Sequence, residues 1–208
     1  MISIVDIVRN PDVTQGIDLA DLIQHGLSLY MPIEDKDVLV VTSNLISIIQ
    51  GNVVQFDSEI QKLKIIKAES YRVLRDDGQN IISTSEDGYV LYNAGIKTLT
   101  QDTLLLPLKQ PDKAAHSLRQ ALRNRFEIDT PILISCDSYS PFRSEPQKII
   151  IGMSGVDCAN GSLDKIAGVS ALNTSEDTYN VVLVRGVSSL KYGHSRANEL
   201  SRKKNLFQ

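Results

Sequence analysis

One stretch constrains this chain more than any other: Ile132-Leu-Ile-Ser-Cys-Asp137-Ser-Tyr-Ser-Pro-Phe-Arg143. Its apolar start reads as a buried strand. The strand stops abruptly at an acid, a hydroxyl residue, a turn proline and an arginine. Open α/β sheets collect ligands at such strand ends. Asp137 at the tip and Arg143 beyond it have the chemistry to hold a metal ion and an anionic group together. The same residues also suit the ion pair of an ordinary surface turn.

The rest of the pattern alternates strands with helices. Ile2 to Val8 reads as a strand, and Asp18 caps a helix with Leu19, Leu22, Ile23, Gly26, Leu27 and Tyr30 on its apolar face. Glu34 to Asp37 is a polar turn before the apolar strand Val38 to Val41. Leu45 to Ile49 is apolar on most sides, so it is buried, but periodicity leaves its type open. Val53 to Phe56 is a short strand, and Glu59 to Leu74 the clearest helix. Ile81 to Ser83 and Tyr89 to Tyr92 form a hairpin around Glu86-Asp87-Gly88. Leu104 to Leu106 is a short apolar run. Asp112 caps a helix that carries Ala115, Leu118, Leu122 and Phe126. Ile149 to Met153 and Val181 to Val184 are further strands, with a helix over Ser162 to Leu172 between them. This alternation predicts an α/β or mixed α+β class. Residues 1–190 read as one domain and 191–208 as a polar, basic tail, solvated and helical.

Composition narrows the function. A net charge of -3 argues against nucleic-acid binding through bulk charge. The absence of Trp and an aromatic content of 5% argue against base stacking. Two cysteines, Cys136 and Cys158, fit a reducing cytosol rather than a disulfide scaffold. Cys136 sits inside the apolar run as a core residue. Met1 to Val8 carries acid rather than base, so no leader is expected, and no apolar run is long enough to span a membrane. The expected protein is therefore cytoplasmic, with neither nucleic acid nor membrane as a partner. His25, His116 and His194 lack metal-ligand spacing. No glycine-rich phosphate loop, dinucleotide fingerprint or nucleophile elbow occurs.

Several blocks, taken in order, resemble the GTP-dependent γ-glutamyl ligases that add glutamate to the deazaflavin coenzyme F-420. They are Asp37-Val-Leu-Val-Val-Thr42 with Ser47 and Gly51; Asp87-Gly-Tyr-Val-Leu-Tyr-Asn-Ala-Gly95; Asp102-Thr-Leu-Leu-Leu-Pro107; the helix start Pro111 to Arg119; the Asp137 stretch; and Val182-Leu-Val-Arg-Gly186. Their shared order is more specific than any one block. The resemblance implies a γ-glutamyl ligase-like fold with mixed sheets and flanking helices, in an intertwined homodimer. It implies GTP as co-substrate, Mg or Mn at the phosphates, and glutamate attacking a carboxylate activated as an acyl phosphate. On this chain it assigns Asp137 and Arg143 to catalysis and Asp137 with Ser138 to metal. Thr42, Ser47, Asn93, Lys97 and Lys148 are assigned to the nucleotide or another anion.

The departures fall on charge. Where the family carries two lysines and a glutamate, this chain has Asn44, Ile48 and Gln50. A metal-binding aspartate of the family aligns with Lys97, and a second acid with Lys148. An ammonium cannot replace a metal ligand, but it can replace the metal and face an anion directly. The alternatives are solvated surface lysines, or an ion pair between Asp137 and Lys97 or Lys148. Two functions follow. One is a divergent nucleotide-dependent ligase joining glutamate or a similar amine to a carboxylate. The other is a non-catalytic family member that binds a small anion or a protein partner.

Overall fold

The computed structural model of the chain describes residues 2–9, 12–138, 146–157, 163–172, 179–187 and 192–197. Its spine is a five-stranded sheet built from β1 (Ser3–Arg9), β2 (Val38–Thr42), β9 (Ile132–Ser138), β10 (Gln147–Ser154) and β11 (Asn180–Arg185), in the order β1-β11-β2-β9-β10. The pair β2 and β9 is parallel, with Leu39 opposite Ile132 and Thr42 opposite Ser135. The other three pairings are antiparallel.

The central strands are apolar on both faces because both faces are covered. Leu39, Val41, Ile132, Ile134, Val181 and Leu183 pack on one side against α1 (Leu19–Tyr30) and α4 (Pro111–Phe126). Val38, Val40, Leu133, Val182 and Val184 pack on the other against α5 (Leu163–Ser170). Alternate residues of one strand thus enter different cores, as a period of two demands. At Gly26 a Cβ would collide with the Ile7 carbonyl, so α1 lies close on β1 only because this residue is glycine. At Gly152 a Cβ would come within 2.5 Å of the Pro111 backbone, which fixes the start of α4 against β10.

A second region stands at the edge of this body. It consists of α3 (Glu59–Glu69), the antiparallel sheet β4 (Arg72–Asp76), β5 (Ile81–Thr84) and β6 (Val90–Tyr92), and the small sheet β3 (Val53–Gln55), β8 (Thr103–Leu105) and β7 (Lys97–Thr98). Ile66, Ile81 and Ala94 form its own small core. The remaining helix is α2 (Ser43–Ile49), which settles the type of the apolar run at Leu45 to Ile49. Five α-helices and three sheets among the described residues make this a mixed α+β protein.

Three local expectations are corrected. The helix expected to run to Leu74 ends at Glu69, capped by Ser70, and the chain turns into β4. Tyr71 and Leu74 match helical spacing but stay 72% and 49% exposed, so no core holds them in a helix. Pairing with β5 satisfies the backbone instead. Asp112 does not cap α4. Gln110 is the cap residue, in the left-handed region, and Pro111 follows at the first helical position. The Asp112 carboxylate accepts instead from the backbone N–H of Met153 at 2.9 Å and of Ala197 at 3.1 Å. The third concerns residues 192–197 of the expected solvated tail, whose residues 198–208 lie outside the described residues. Tyr192 bridges to Val156 and Ala197 is fully buried, so residues 192–197 follow the body of the protein.

The polar turn before β2 is also more than a surface loop. Asp37 is 1% exposed. Arg185 grips it with Nε and Nη2, at 2.9 and 2.7 Å, and reaches Glu34 with Nη1 at 2.6 Å. This fork ties the start of β2 to the end of β11.

Asp18 accepts from the N–H groups of Ala20 (2.9 Å) and Asp21 (3.2 Å), and pairs with Arg125 at the far end of α4. Burial works against its charge. The backbone N–H groups and Arg125 nevertheless hold its carboxyl below the usual range. Asp18→Ala should lower stability by about 1 kcal/mol, the worth of an N-cap, measured as a shift of the urea midpoint. A depressed folded pKa means the contribution is complete above the unfolded value and lost as pH falls through the folded one. The gap between wild type and variant should therefore be full above about pH 4 and shrink below it.

Candidate functional site

Because β2 and β9 run parallel, their carboxyl ends emerge at the same edge of the sheet. There the chain opens into a cleft of about 660 Å³. One wall is the first turn of α2 (Ser43, Asn44) with Cys136 and Asp137 of β9. The facing wall is the second region: the end of α3, the β5–β6 hairpin, the turn Asn93–Gly95 and Lys97. The loop Pro107 to Pro111 closes one side. Lys109 on that loop pairs with Glu69 at the end of α3, so an ion pair joins two segments of the rim.

The turn at Asn93–Gly95 is unusual in its backbone. Asn93, Ala94 and Gly95 all have positive φ (47°, 55° and 78°). Such residues are uncommon outside glycine and mark a constrained bend. Asn93 stabilises the bend by accepting, through Oδ1, from the Ile81 N–H at 2.8 Å. Its amide oxygen therefore serves the hairpin, while the residue itself lines the cleft. The bend redirects the chain so that Lys97 lines the cleft, with Nζ 5.9 Å from the centre of the Tyr179 ring.

The register of β9 and β10 sets Lys148 directly opposite Asp137. Their side chains form an ion pair of 2.8 Å, with exposures of only 9% and 18%. Ser138 donates to the Val90 carbonyl at 3.2 Å, tying the end of β9 to β6. Thr42 and Ser47 do not line the cleft. Thr42 is buried, donating to the Asn180 carbonyl (3.3 Å) and accepting from the Asn180 N–H (3.1 Å). Ser47 is 1% exposed, and its hydroxyl has no hydrogen-bond partner. Arg143 lies outside the described residues. The strand tip thus brings together Asp137, Ser138 and Lys148. Asn93 and Lys97 come to the cleft from the other wall.

Two further groups in the cleft were not singled out from sequence. Tyr89 lines it, and its buried hydroxyl finds no partner. Burial pushes the Tyr89 pKa up, so the phenol stays protonated. It occupies the aromatic place of the Asp87-Gly-Tyr89 block, and the added hydroxyl was the available signal. Lys109 carried none beyond being a loop lysine before a helix. Cys136 is an inert wall residue: burial pushes its thiol up to about 12.

The whole-chain comparison adds identity to this geometry. The sequence model described as F420-0:Gamma-glutamyl ligase matches residues 7–190. The chain belongs to this family. Among curated proteins it is 24% identical to the coenzyme F420:L-glutamate ligase of Methanocaldococcus jannaschii over 91% of this chain and 89% of that protein. It is 29% identical to the ligase of the same name from Methanococcus maripaludis, over 60% of this chain and 57% of that protein. For the Methanopyrus kandleri ligase the identity is 27%, over 69% and 63%. The match thus spans less than two thirds of the Methanococcus maripaludis and Methanopyrus kandleri proteins and 89% of the Methanocaldococcus jannaschii one.

Family membership implies divalent metal at this cleft, and the donor set can be tested for it. Hard divalent cations take about six oxygen ligands, several of them carboxylates. No group of three His, Cys, Asp or Glu able to hold a metal occurs among the described residues. The one acid at the β9 tip is already neutralised by Lys148. A divalent ion about 4 Å from that ammonium would be repelled by roughly 8 kcal/mol at an effective dielectric of 20, twice the value for unit charges. The described residues therefore do not fit a metal at Asp137.

The pair itself is testable. Lys148→Met leaves the Asp137 carboxylate mostly buried without its counter-ion, and should cost about 3 kcal/mol of stability. The double variant Asp137→Asn, Lys148→Met removes both charges and should recover much of that loss. Urea unfolding of the wild type and the two variants measures the difference.

Proposed function

We propose that this protein is a divergent amide-forming ligase that uses a nucleoside triphosphate, GTP by family likeness, to join glutamate or a similar amine to a small-molecule carboxylate. The observation that carries this reading is convergence. The family-like blocks Asp87 to Gly95, Asp102 to Pro107 and the Asp137 stretch are distant in sequence, yet all contribute residues to one cleft. In the proposed reaction a carboxylate oxygen attacks the terminal phosphorus and the nucleoside diphosphate leaves. The amine then attacks the acyl carbon and inorganic phosphate departs. Positioning and charge neutralisation account for most catalysis of this type. Lys97 supports an anion-facing role because it lines the cleft. Asp137 and the strand tip are the catalytic candidates among the described residues.

A second reading is favoured by one observation. The carboxylate that would serve the family's metal chemistry is held by Lys148. A member that kept the fold and lost catalysis would bind a small anion in the same cleft without turnover. The two separate in one assay. GTP, L-glutamate and the carboxylate form of coenzyme F-420 lacking glutamate are incubated with the protein, with and without Mn²⁺. Phosphate release that depends on glutamate, with a product heavier by one glutamyl residue, is the expected result. Silence in both arms would leave the binding reading.

The family likeness also supports a homodimer. On this chain β4 is an edge strand with all five residues exposed, flanked by Tyr71 at 72% exposure. Edge strands of this kind invite pairing with another chain. Light scattering should give twice the 23.0 kDa of one chain. No described helix is long and apolar enough to cross a membrane.

A further inference from the structure

We infer that the tip of β9 works without a divalent cation, and that Lys148 occupies the electrostatic place a metal would take beside Asp137. The inference rests on the proposed ligase-like site, but not on whether that site turns over. Three observations carry it. Lys148 and Asp137 are opposite each other in the strand register, so the backbone itself delivers the ammonium to the carboxylate. The contact is 2.8 Å, and the lysine side chain is only 9% exposed. The pair is thus built into the sheet rather than formed by two surface chains that happen to meet. No second and third acid stands close enough, among the described residues, to compensate for that ammonium and capture a metal.

The chemistry follows from the charges. A divalent ion bound at one carboxylate brings net positive charge to the strand tip and moves with solvent exchange and chelators. The Lys148–Asp137 pair brings no net charge and cannot be chelated away. Lys148 acts here as a positioning residue: it fixes the Asp137 side chain at the wall of the cleft. Among the described residues that line the cleft, Lys97 on the opposite wall and Lys109 on the rim are the lysines that can offer positive charge to an anionic ligand.

The test uses Mn²⁺ alone, titrated into the full chain and followed by electron paramagnetic resonance of the free ion. Wild type should show no binding below about 1 mM that Asp137→Asn abolishes. A wild-type site in the micromolar range that is lost in Asp137→Asn would overturn the inference. The complementary variant is Lys148→Asp, which sets two carboxylates opposite each other at the same register. It should bind Mn²⁺ at least tenfold more tightly than wild type. A folded Lys148→Asp that gains nothing would show that Lys148 is not what excludes the ion, and would also overturn it. If that variant fails to fold, the wild-type and Asp137→Asn titrations still decide. Lack of ligase turnover with this Mn²⁺ pattern intact would sink the enzyme reading and leave the inference standing.

Discussion

The parallel pairing of β2 with β9 is the constraint from which the rest of the molecule follows. Two apolar strands distant in sequence must lie side by side, buried on both faces, with their carboxyl ends at one edge. Backbone groups in such a position have no water to turn to, so every neighbour must hydrogen-bond in register. That forces β11 onto one flank and β10 onto the other. It also places Asp137 near the first turn of α2. The cleft is the space left where this edge meets the smaller sheets.

Charge sets the character of that space. Two buried ion pairs mark opposite ends of the central sheet. At one end the Arg185 fork holds Asp37. At the other Lys148 holds Asp137. Both use strand register to put the partners together, and both leave a carboxylate satisfied within the protein. The first is structural, joining β2 to β11. The second sits at the wall of the cleft, joining β9 to β10.

Much of the scaffold was legible in the sequence because burial writes itself plainly. The runs Val38 to Val41, Ile132 to Ile134 and Val181 to Val184 are apolar throughout, and they are the doubly covered strands. The cap at Asp18 and the hairpin around Glu86-Asp87-Gly88 were also readable from residue type and spacing. Where burial is weak the signal fades. The helix-like spacing from Ile60 to Leu74 misled because Ile60, Tyr71 and Leu74 are exposed and no core enforces a period. At the site, sequence could name Lys97 and Lys148 as rivals for Asp137 but not choose between them. The choice depends on a strand register that includes an irregularity between Ile150 and Gly152. Thr42 and Ser47 lay near the right strand end, yet their hydroxyls turn inward. One residue of rotation along a strand or helix decides that, and composition does not record it.

The position of β11 has a consequence for how the chain assembles. Thr42 and Asn180 hydrogen-bond across 138 residues of sequence, and the strand that carries Asn180 lies inside the sheet, between β1 and β2. Until it arrives, β1 has no partner and β2 is open along one side. Closure must therefore await the synthesis of β11, more than a hundred residues after β2. Proteins dominated by such distant pairings fold slowly, since loop entropy is lost before the contacts reward it. On the ribosome, the emerging chain carries unpaired apolar strands until β11 follows, and its exposure to chaperones and to aggregation is fixed by topology rather than by final stability.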